Sequence, residues 1–206
     1  MSRHEPVLNP VKIADLRPTQ ITVGYREVHE KRREWRERSE TSGAKYLGRH
    51  MVPVVRGPKD RHYVLDHHHL CRALLDEAET EVLVDVLVDL RALKPDEFWT
   101  YLDHRAWCHP YDKRGLRVDY EEIPKSMADL GDDPYRSLAG ELRRAGGFAK
   151  DVTPFSEFIW ANYLRRRVKR KLVVDDFGTA LTKSLRLAKS PDANFLPGWC
   201  GPAPDG

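Results

Sequence analysis

Cysteine is scarce in this sequence, and its three cysteines, Cys71, Cys108 and Cys200, lie far apart. An odd number at such spacings does not make a disulfide framework, so we expect reduced thiols and a cytoplasmic setting. Long apolar runs are also lacking, since none approaches the roughly 20 residues that span a bilayer. The first residues carry no apolar stretch of the signal-peptide kind. We therefore expect no membrane partner.

A strong charge of one sign is lacking as well. The 206 residues carry 35 lysines and arginines against 32 aspartates and glutamates, a net charge of +3. The chain as a whole is not a polycation, so binding to nucleic acid would have to come from a local cluster. Hydrophobic residues make up 40% and charged residues 33%. This balance is typical of a soluble globular protein, and the length of 206 residues suffices for one large domain, or for one domain and a substantial annex.

The first 93 residues alternate strand and helix patterns. A loose lead-in ends at Pro10, and Ser39–Gly48 is predicted to be flexible because Thr41-Ser42-Gly43 offers little to pack. A turn at Gly57-Pro58-Lys59-Asp60 is typical of a hairpin. Valines alternate from Val82 to Val88, which predicts a strand. The predicted strands are 11–13, 51–56, 61–65 and 81–90, and the predicted helices are 25–38 and 67–78.

The rest of the chain is predicted to be mostly helical. Gly146-Gly147 resembles a helix C-cap, and Thr153-Pro154 an N-cap followed by proline at the first helical position. Predicted helices span 95–102, 133–145, 154–172 and 176–189. The expected fold class is α+β: a small mixed-sheet unit over 1–93, a helical lobe over 94–190 and an irregular tail over 191–206. Whether the two lobes are independent domains, and the oligomeric state, stay open.

The residue run Asp66-His67-His68-His69-Leu70-Cys71-Arg72-Ala73 carries the most chemistry. It follows the predicted strand Tyr63-Val64-Leu65 and enters an apolar helix pattern. The first N–H groups of a helix lack intrahelical partners and favour anions, phosphate above all. An acid, three imidazoles and an arginine at such a junction predict phosphate or metal chemistry. The alternative is an Asp66 N-cap with histidines on the helix surface.

The order of these elements resembles the ParB/sulfiredoxin fold from about Val11 to Leu90, with Val52-Pro53-Val54-Val55, the Asp66–His69 junction and Arg72-Ala73 as its core. ParB domains carry Gly-Glu-Arg-Arg and then Arg-Ala at this junction, and Arg72-Ala73 stands in the matching place. Free-serine kinases of this fold carry Asp-Gly-His-x-Arg there. His67 and Leu70 depart from that pattern, and histidine stands at position 68 in place of the reactive cysteine of sulfiredoxin.

Three further segments resemble the family called putative ParB-like nucleases, and with them the resemblance covers nearly the whole chain. They are Pro18–Gly24, Gly131–Ala139 and Pro154–Ala161. The resemblance implies an enzyme of phosphate chemistry, either a nuclease or a nucleotide-dependent kinase of the serine kinase type. It implies ATP, ADP or CTP and Mg²⁺ as ligands. The alternative is a partition-like module that binds nucleotide or DNA without turnover.

Candidate site residues follow from these patterns. Asp66, His68 and His69 are the predicted catalytic groups, with Asp66 also a candidate Mg²⁺ ligand, and His67 and Arg72 would bind phosphate. Glu27, or Glu30 one turn later, matches the base of the serine kinases, although a solvated carboxylate among basic residues explains it equally well. The polar segment before it would line a ligand pocket through Thr19, Gln20, Thr22 and Gly24.

Six of the seven residues from Arg165 to Lys171 are basic. They could bind phosphates of DNA through Arg165, Arg166, Lys169 and Arg170, or they could be a solvated helix end. No helix-turn-helix pattern is evident, so sequence-specific reading of DNA is not predicted. The pairs His67/Cys71 and His104/Cys108 have a spacing compatible with zinc, but the spacing is unspecific.

Overall fold

The computed structural model describes residues 9–202. Within that range the chain forms two compact units. The first holds the chain through Thr22 together with Val28–Gly131, and the second holds Val23–Glu27 together with the chain from Asp132 onward. The predicted boundary after residue 93 falls inside the first unit. Residues 1–8 of the predicted lead-in and residues 203–206 lie outside the described residues, whereas Asn9 and Pro10, also predicted to be loose, belong to a strand.

A four-stranded mixed sheet forms the centre of the first unit, which confirms the α+β class. Its strands are β1 (Asn9–Lys12), β3 (Val52–Gly57), β4 (Arg61–Val64) and β5 (Glu81–Asp89), in the order β1-β5-β3-β4. β5 pairs antiparallel with β1 and parallel with β3, and β3 pairs antiparallel with β4. Valines fill all the buried positions of the two central strands except Gly57, as their β-branched side chains fit a pleated surface.

Two elements lead into and out of the first unit. β2 (Thr22–Val23) and β6 (Gly131–Asp132) form a separate two-stranded ladder, and the chain passes from one unit to the other within these strands. In the first unit, the Gly131 N–H donates to Ile21 O at 3.0 Å.

Helix α1 (Tyr25–Arg49) is longer than predicted. The segment expected to be flexible, residues 39–48, continues the helix after an irregularity at Ser42, whose φ is −151°. The reason is aromatic packing: the rings of Trp35 and Tyr46 are buried with centroids 5.7 Å apart, and Gly43 leaves room beside Trp35. The prediction of a flexible segment was wrong because Trp35, the side chain that holds it, lies about two to three helical turns before Gly43 and Tyr46.

Helix α2 (His68–Asp76) packs its apolar side chains Leu70, Cys71, Ala73 and Leu74 into the first unit. Its C-terminal end is held by Glu77, which accepts hydrogen bonds from Arg32 and Arg36 of α1. The Arg36 hydrogen bonds lower the pKa of Glu77 to about 2. Helix α3 (Pro95–His104) begins with the predicted proline and buries Phe98 and Leu102.

The second unit is helical, as expected for the later part of the chain. It contains α4 (Pro134–Arg144), α5 (Ser156–Arg165), α6 (Arg170–Asp175) and α7 (Phe177–Lys189). Trp160 is fully buried in its core and stacks on Phe148 with ring centroids 4.4 Å apart. Truncation of such a residue to alanine costs about 3–5 kcal/mol. Gly146 has φ +77° just after the C-cap of α4, which confirms the predicted glycine stop.

The predicted helix 154–172 was wrong at both ends. The N-cap of α5 is Phe155, not Thr153, and the helix ends at Arg165. The chain turns after that because Val168 enters the core with 1% of its surface exposed. The Tyr135 hydroxyl donates to Val168 O at 2.7 Å and fixes this turn.

The segment after α7 packs on the second unit. It forms a 3-10 turn at Pro191–Ala193 and buries Ala193 and Leu196. The indole N–H of Trp160 donates to Pro197 O at 2.8 Å, which ties the segment to α5. In residues 9–202 no helix combines the length and apolar character needed to cross a membrane.

Candidate functional site

The segment from Arg17 to Gln20 runs alongside β4, which ends at the predicted junction. The Arg17 N–H donates to His62 O at 2.9 Å, and the Val64 N–H donates to Arg17 O at 2.8 Å. The Thr19 hydroxyl donates to Val64 O at 2.6 Å. These bonds hold two parts of the predicted site side by side although they are far apart in the sequence.

His68 is the first residue of α2, and its side chain is buried with 4% exposed. Its Nε2 accepts a hydrogen bond from the Thr19 N–H at 3.2 Å. An imidazole nitrogen accepts only when it carries no proton, so this bond requires an unprotonated Nε2. The bond joins two of the predicted site residues directly, and through it His68 positions the 19–22 segment.

Further buried polar groups surround Thr19. Its carbonyl accepts a hydrogen bond from the His109 N–H at 2.8 Å, and the Gln20 amide donates to Thr22 O at 2.9 Å. His109 is 8% exposed and stacks on Tyr111 with ring centroids 4.3 Å apart. His109 was not predicted, since no spacing or charge pattern in the sequence marks it. Burial of polar groups is costly unless they are bonded, so this concentration is unusual for a core.

His67 occupies the N-cap position of α2 in the left-handed backbone conformation, with φ 69° and ψ 23°. The Asp66 carboxylate, which is exposed, accepts a hydrogen bond from the His67 N–H at 2.6 Å. Helix α2 therefore begins one residue later than predicted, and His67 rather than Asp66 stands at its N-cap. A non-glycine residue in this conformation is strained by roughly 1 kcal/mol or more.

The charged form of the His67 imidazole is disfavoured. Burial lowers its pKa, and the positive charges of His50 and Lys31 act in the same direction, whereas Asp66 raises it. The rings of His67 and His50 meet edge-on with centroids 6.4 Å apart. At neutral pH the site therefore presents an uncharged His67 beside the Asp66 carboxylate.

Arg72 lies on α2 and is held by three acceptors within the first unit. Its Nε donates to Asp76 at 2.9 Å, and its Nη1 donates to Ala128 O at 2.8 Å and Leu130 O at 3.1 Å. The guanidinium thus fastens residues 128–130 to the helix. A phosphate bound by Arg72 would compete with these acceptors for the N–H groups of the guanidinium.

Gly24 and Glu27 belong to the second unit, where α1 begins on the surface of α4. The N–H groups of Tyr25 and Arg26 donate to Asp132 Oδ1 at 3.0 Å and to Ser137 Oγ at 3.3 Å. A Cβ at Gly24 would lie only 2.6 Å from Ser137 Oγ, so this approach requires glycine. These contacts give Asp132 and Ser137 structural roles.

Comparison with known proteins places this arrangement in a family. The family model described as "Putative ParB-like nuclease" matches residues 9–166. The chain belongs to the putative ParB-like nuclease family. The crystal structure of protein Atu1540 from Agrobacterium tumefaciens is similar, with 53% identity and a TM-score of 0.89, covering 97% of this chain and 100% of that one. A search of curated proteins gave no significant match.

Two departures of this ParB-like chain from the serine kinase pattern now have a physical description. His67 takes the left-handed conformation that glycine, expected there, adopts without strain. Leu70, where an arginine was expected, is 2% exposed and packs in the core, where a charged side chain would be strongly disfavoured.

The basic run of this family member lies at the end of α5, in the following turn and at the start of α6, not inside one long helix. Arg165 forms an ion pair with the buried Asp133 and lies 4.9 Å from the centre of the Tyr135 ring. Arg166, Lys169 and Arg170 are exposed and make no ion pair with any residue in the described part of the chain. Arg165 therefore contributes to the fold of the second unit, and the other three face solvent.

The donor set of the ParB-like junction bears on metal binding. Across residues 9–202, no three His, Cys, Asp or Glu side chains meet in a group that could hold a metal ion. Burial raises the pKa of Cys71 to about 12 and that of Cys108 to about 12, so neither thiol supplies a thiolate at neutral pH. Asp66 offers one exposed carboxylate, which suits Mg²⁺ when substrate phosphates complete its ligands.

Proposed function

We propose that this ParB-like protein is an enzyme of phosphate chemistry whose substrate binds at the start of α2. The observation that carries the proposal is the Thr19 contact set, in which one residue bonds both the end of β4 and the ring of His68. It brings the polar 19–22 segment against the junction of Asp66 to His69. Phosphoryl transfer needs positioned donors and cations more than elaborate covalent machinery.

The roles follow from exposure and bonding. Asp66 is exposed and would hold Mg²⁺ together with the substrate phosphates. His68 positions the 19–22 segment, while His67, His69 and Arg72 would contact the phosphate groups. A bound Mg²⁺ would supply charge neutralisation at the transferred phosphoryl group. Free cysteines accord with a cytoplasmic setting.

Two reactions fit this site. Hydrolysis of a phosphodiester is the activity that the family description names. Transfer of a phosphoryl group from ATP, ADP or CTP to a small hydroxyl is the activity that the likeness to the serine kinases implies, and the same likeness matches Glu27 to their base. Both begin with binding of phosphate at the same junction, so one experiment tests their common step.

Thermal unfolding with ATP, ADP, CTP and a short DNA duplex, each with and without Mg²⁺, tests the proposal. A ligand at 100 times its Kd stabilises by about 2.7 kcal/mol. We expect Asp66→Asn to remove the Mg²⁺-dependent part of the shift, and Asp85→Asn, a loss of another exposed carboxylate, to leave it unchanged. The proposal fails if no phosphate-bearing ligand shifts the transition of the wild-type protein.

The second candidate is a module that binds DNA or nucleotide without turnover. The exposed side chains of Arg166, Lys169 and Arg170 favour it. If they bind DNA phosphates, the logarithm of affinity falls linearly with that of salt, and each lost contact lowers the slope by roughly 0.9. We expect the triple change of these residues to glutamine to flatten the slope by about 3 units. DNA affinity that does not depend on salt would exclude DNA binding through these three side chains.

A further inference from the structure

A cavity of about 640 Å³ lies in the first unit between β4, α3 and the segment around Tyr120. It shares no residue with the junction from Asp66 to Arg72 or with the 19–24 segment. Tyr63 pairs with Val55 in the sheet, and Val55 packs against Phe98, so the cavity opens on the sheet face that α3 covers. Its size is within the range of small-molecule sites.

Aromatic rings form one wall of this cavity. Tyr63 lies 4.5 Å from Phe98 and 5.6 Å from Trp99, measured between ring centroids. Trp99 and Tyr120 are almost parallel, with an angle of 12° and centroids 5.9 Å apart. Phe98 is buried, whereas Tyr63, Trp99 and Tyr120 are only partly covered. A Cβ at Gly57 would lie 2.6 Å from Phe98 and Tyr63, so this wall depends on that glycine.

Positive side chains surround the same cavity. Four cations line it, against the two carboxylates of Asp96 and Glu121: Arg17, Lys59, Arg61 and Lys125. None of the four makes an ion pair with a residue between 9 and 202. The Nε of Arg17 is buried without a hydrogen-bond partner in that range. A buried donor left unbonded costs about 1–3 kcal/mol, which a bound anion would offset.

We propose that this cavity binds a nucleoside phosphate, with the base against the aromatic wall and the phosphates at the cations. Stacking of a base on an aromatic side chain contributes about 1–3 kcal/mol. Hydrogen bonds from arginine or lysine to phosphate are charge-assisted and are about twice as strong as neutral ones. Neither the aromatic wall nor the group of cations alone requires this ligand. Together they match a molecule that joins a flat ring to a negatively charged phosphate group. The site is separate from the junction and does not rest on its activity.

Calorimetric titration of the full chain with ATP and CTP tests the site. Adenosine and pyrophosphate serve as probes of the ring and of the phosphate alone, and each is expected to bind at least about tenfold more weakly than ATP, a loss of 1.4 kcal/mol or more. Arg61→Gln with Lys125→Gln should weaken ATP about tenfold. The matched control, Lys113→Gln with Lys150→Gln, removes the same charge from exposed positions outside the cavity and should leave the affinity within about twofold.

Trp99→Phe keeps an aromatic ring in the wall and removes the indole. ATP should quench tryptophan fluorescence in the wild-type protein and not in this variant, while calorimetry still detects binding. A short oligothymidylate, added in place of ATP, shows whether the nucleotide unit comes from a free nucleotide or from a DNA strand. Binding of either to this cavity supports the proposal.

The outcomes separate this site from the junction. Asp66→Asn should leave binding at the cavity intact. If nucleotide binding is lost with Asp66→Asn and kept with the Arg61 and Lys125 changes, the cavity proposal is overturned and the junction is the nucleotide site. Failure of every nucleotide and oligonucleotide to bind also overturns it, whereas hydrolysis of a DNA duplex remains a separate measure of the proposed function.

Discussion

Helices α2 and α5 both begin after a non-glycine residue in the left-handed conformation, His67 with φ 69° and Phe155 with φ 58°. At α5 the conformation has a packing explanation, since Phe155 meets Phe158 edge-on with centroids 5.6 Å apart. At α2 the strained residue is a histidine between an exposed carboxylate and a buried imidazole. His67 also has a ring contact, with His50 at 6.4 Å between centroids, so what distinguishes α2 from α5 is the polar surroundings of its strained residue. Strained residues among polar groups are typical of functional sites, which supports the start of α2 as the candidate site.

The largest effect is expected at the buried ring beside His67. His68→Phe keeps a flat side chain but leaves the buried Thr19 N–H without its acceptor, which should lower the free energy of unfolding by about 2 kcal/mol. Urea unfolding measures the loss, and hydrogen exchange of the Thr19 amide should become faster. His104→Phe, at an exposed position of α3, is the control. Unchanged exchange at Thr19 would remove His68 from its positioning role.

The start of α5 should respond to loss of its ring. Phe155→Gly relieves the backbone strain but removes the contact with Phe158, and we expect a net loss of about 1 kcal/mol in the free energy of unfolding. Val152→Gly, at a fully exposed position nearby, should change it by less than about 0.5 kcal/mol. A gain in stability in Phe155→Gly would show that packing does not explain this helix start.

The start of α2 should respond with the opposite sign. His67→Gly relieves the left-handed strain, and the gain should exceed the added entropy of the unfolded chain by about 0.5 kcal/mol. The matched change His104→Gly, at the helical end of α3, should lose up to about 1 kcal/mol. If the proposed function is correct, the more stable His67→Gly protein should bind the phosphate-bearing ligand more weakly. A loss of stability would show that packing of the His67 side chain stabilises the left-handed backbone conformation, as packing does at Phe155.

The smallest effect is a pH dependence from His67 at the start of α2, which has no counterpart in Phe155 at the start of α5. Burial holds the pKa of His67 below its ordinary value, so the unfolded chain binds the proton more readily than the folded chain. The stabilisation is therefore complete above about pH 6.5 and is lost as the pH falls toward the folded pKa, by less than about 0.5 kcal/mol. Urea unfolding between pH 7.5 and 5 measures it, and His67→Gln should remove this part of the dependence.

The sequence predicted the elements whose signals are local. Alternating valines gave β5, and Pro134 with Gly146 marked both ends of α4. The errors arose where distant packing decides, as in the helical continuation of α1 against Trp35 and in the turn that buries Val168. The two helix starts were misplaced because a left-handed N-cap residue carries no sequence signature when it is not glycine.

The candidate site likewise contains residues that the sequence predicted and residues that it did not. The sequence selected Thr19 and His68 from their chemistry and their likeness to a family, and the structure brings them into contact. It missed His109, which reaches the cluster through a backbone bond that any residue type could make. It missed the aromatic cavity as well, because its walls come from separate stretches of the chain and only folding puts them side by side.

The three hydrogen bonds of Arg72 connect α2 to the backbone at Ala128 and Leu130. Because the guanidinium is held at both sides, a displacement of α2 would also move the carbonyl groups to which Arg72 donates. Those carbonyls stand just before Gly131, where the chain leaves the first unit. Occupancy at the start of α2 thus has a direct route to the last residues of that unit, and amide exchange between Ser126 and Leu130 would report it.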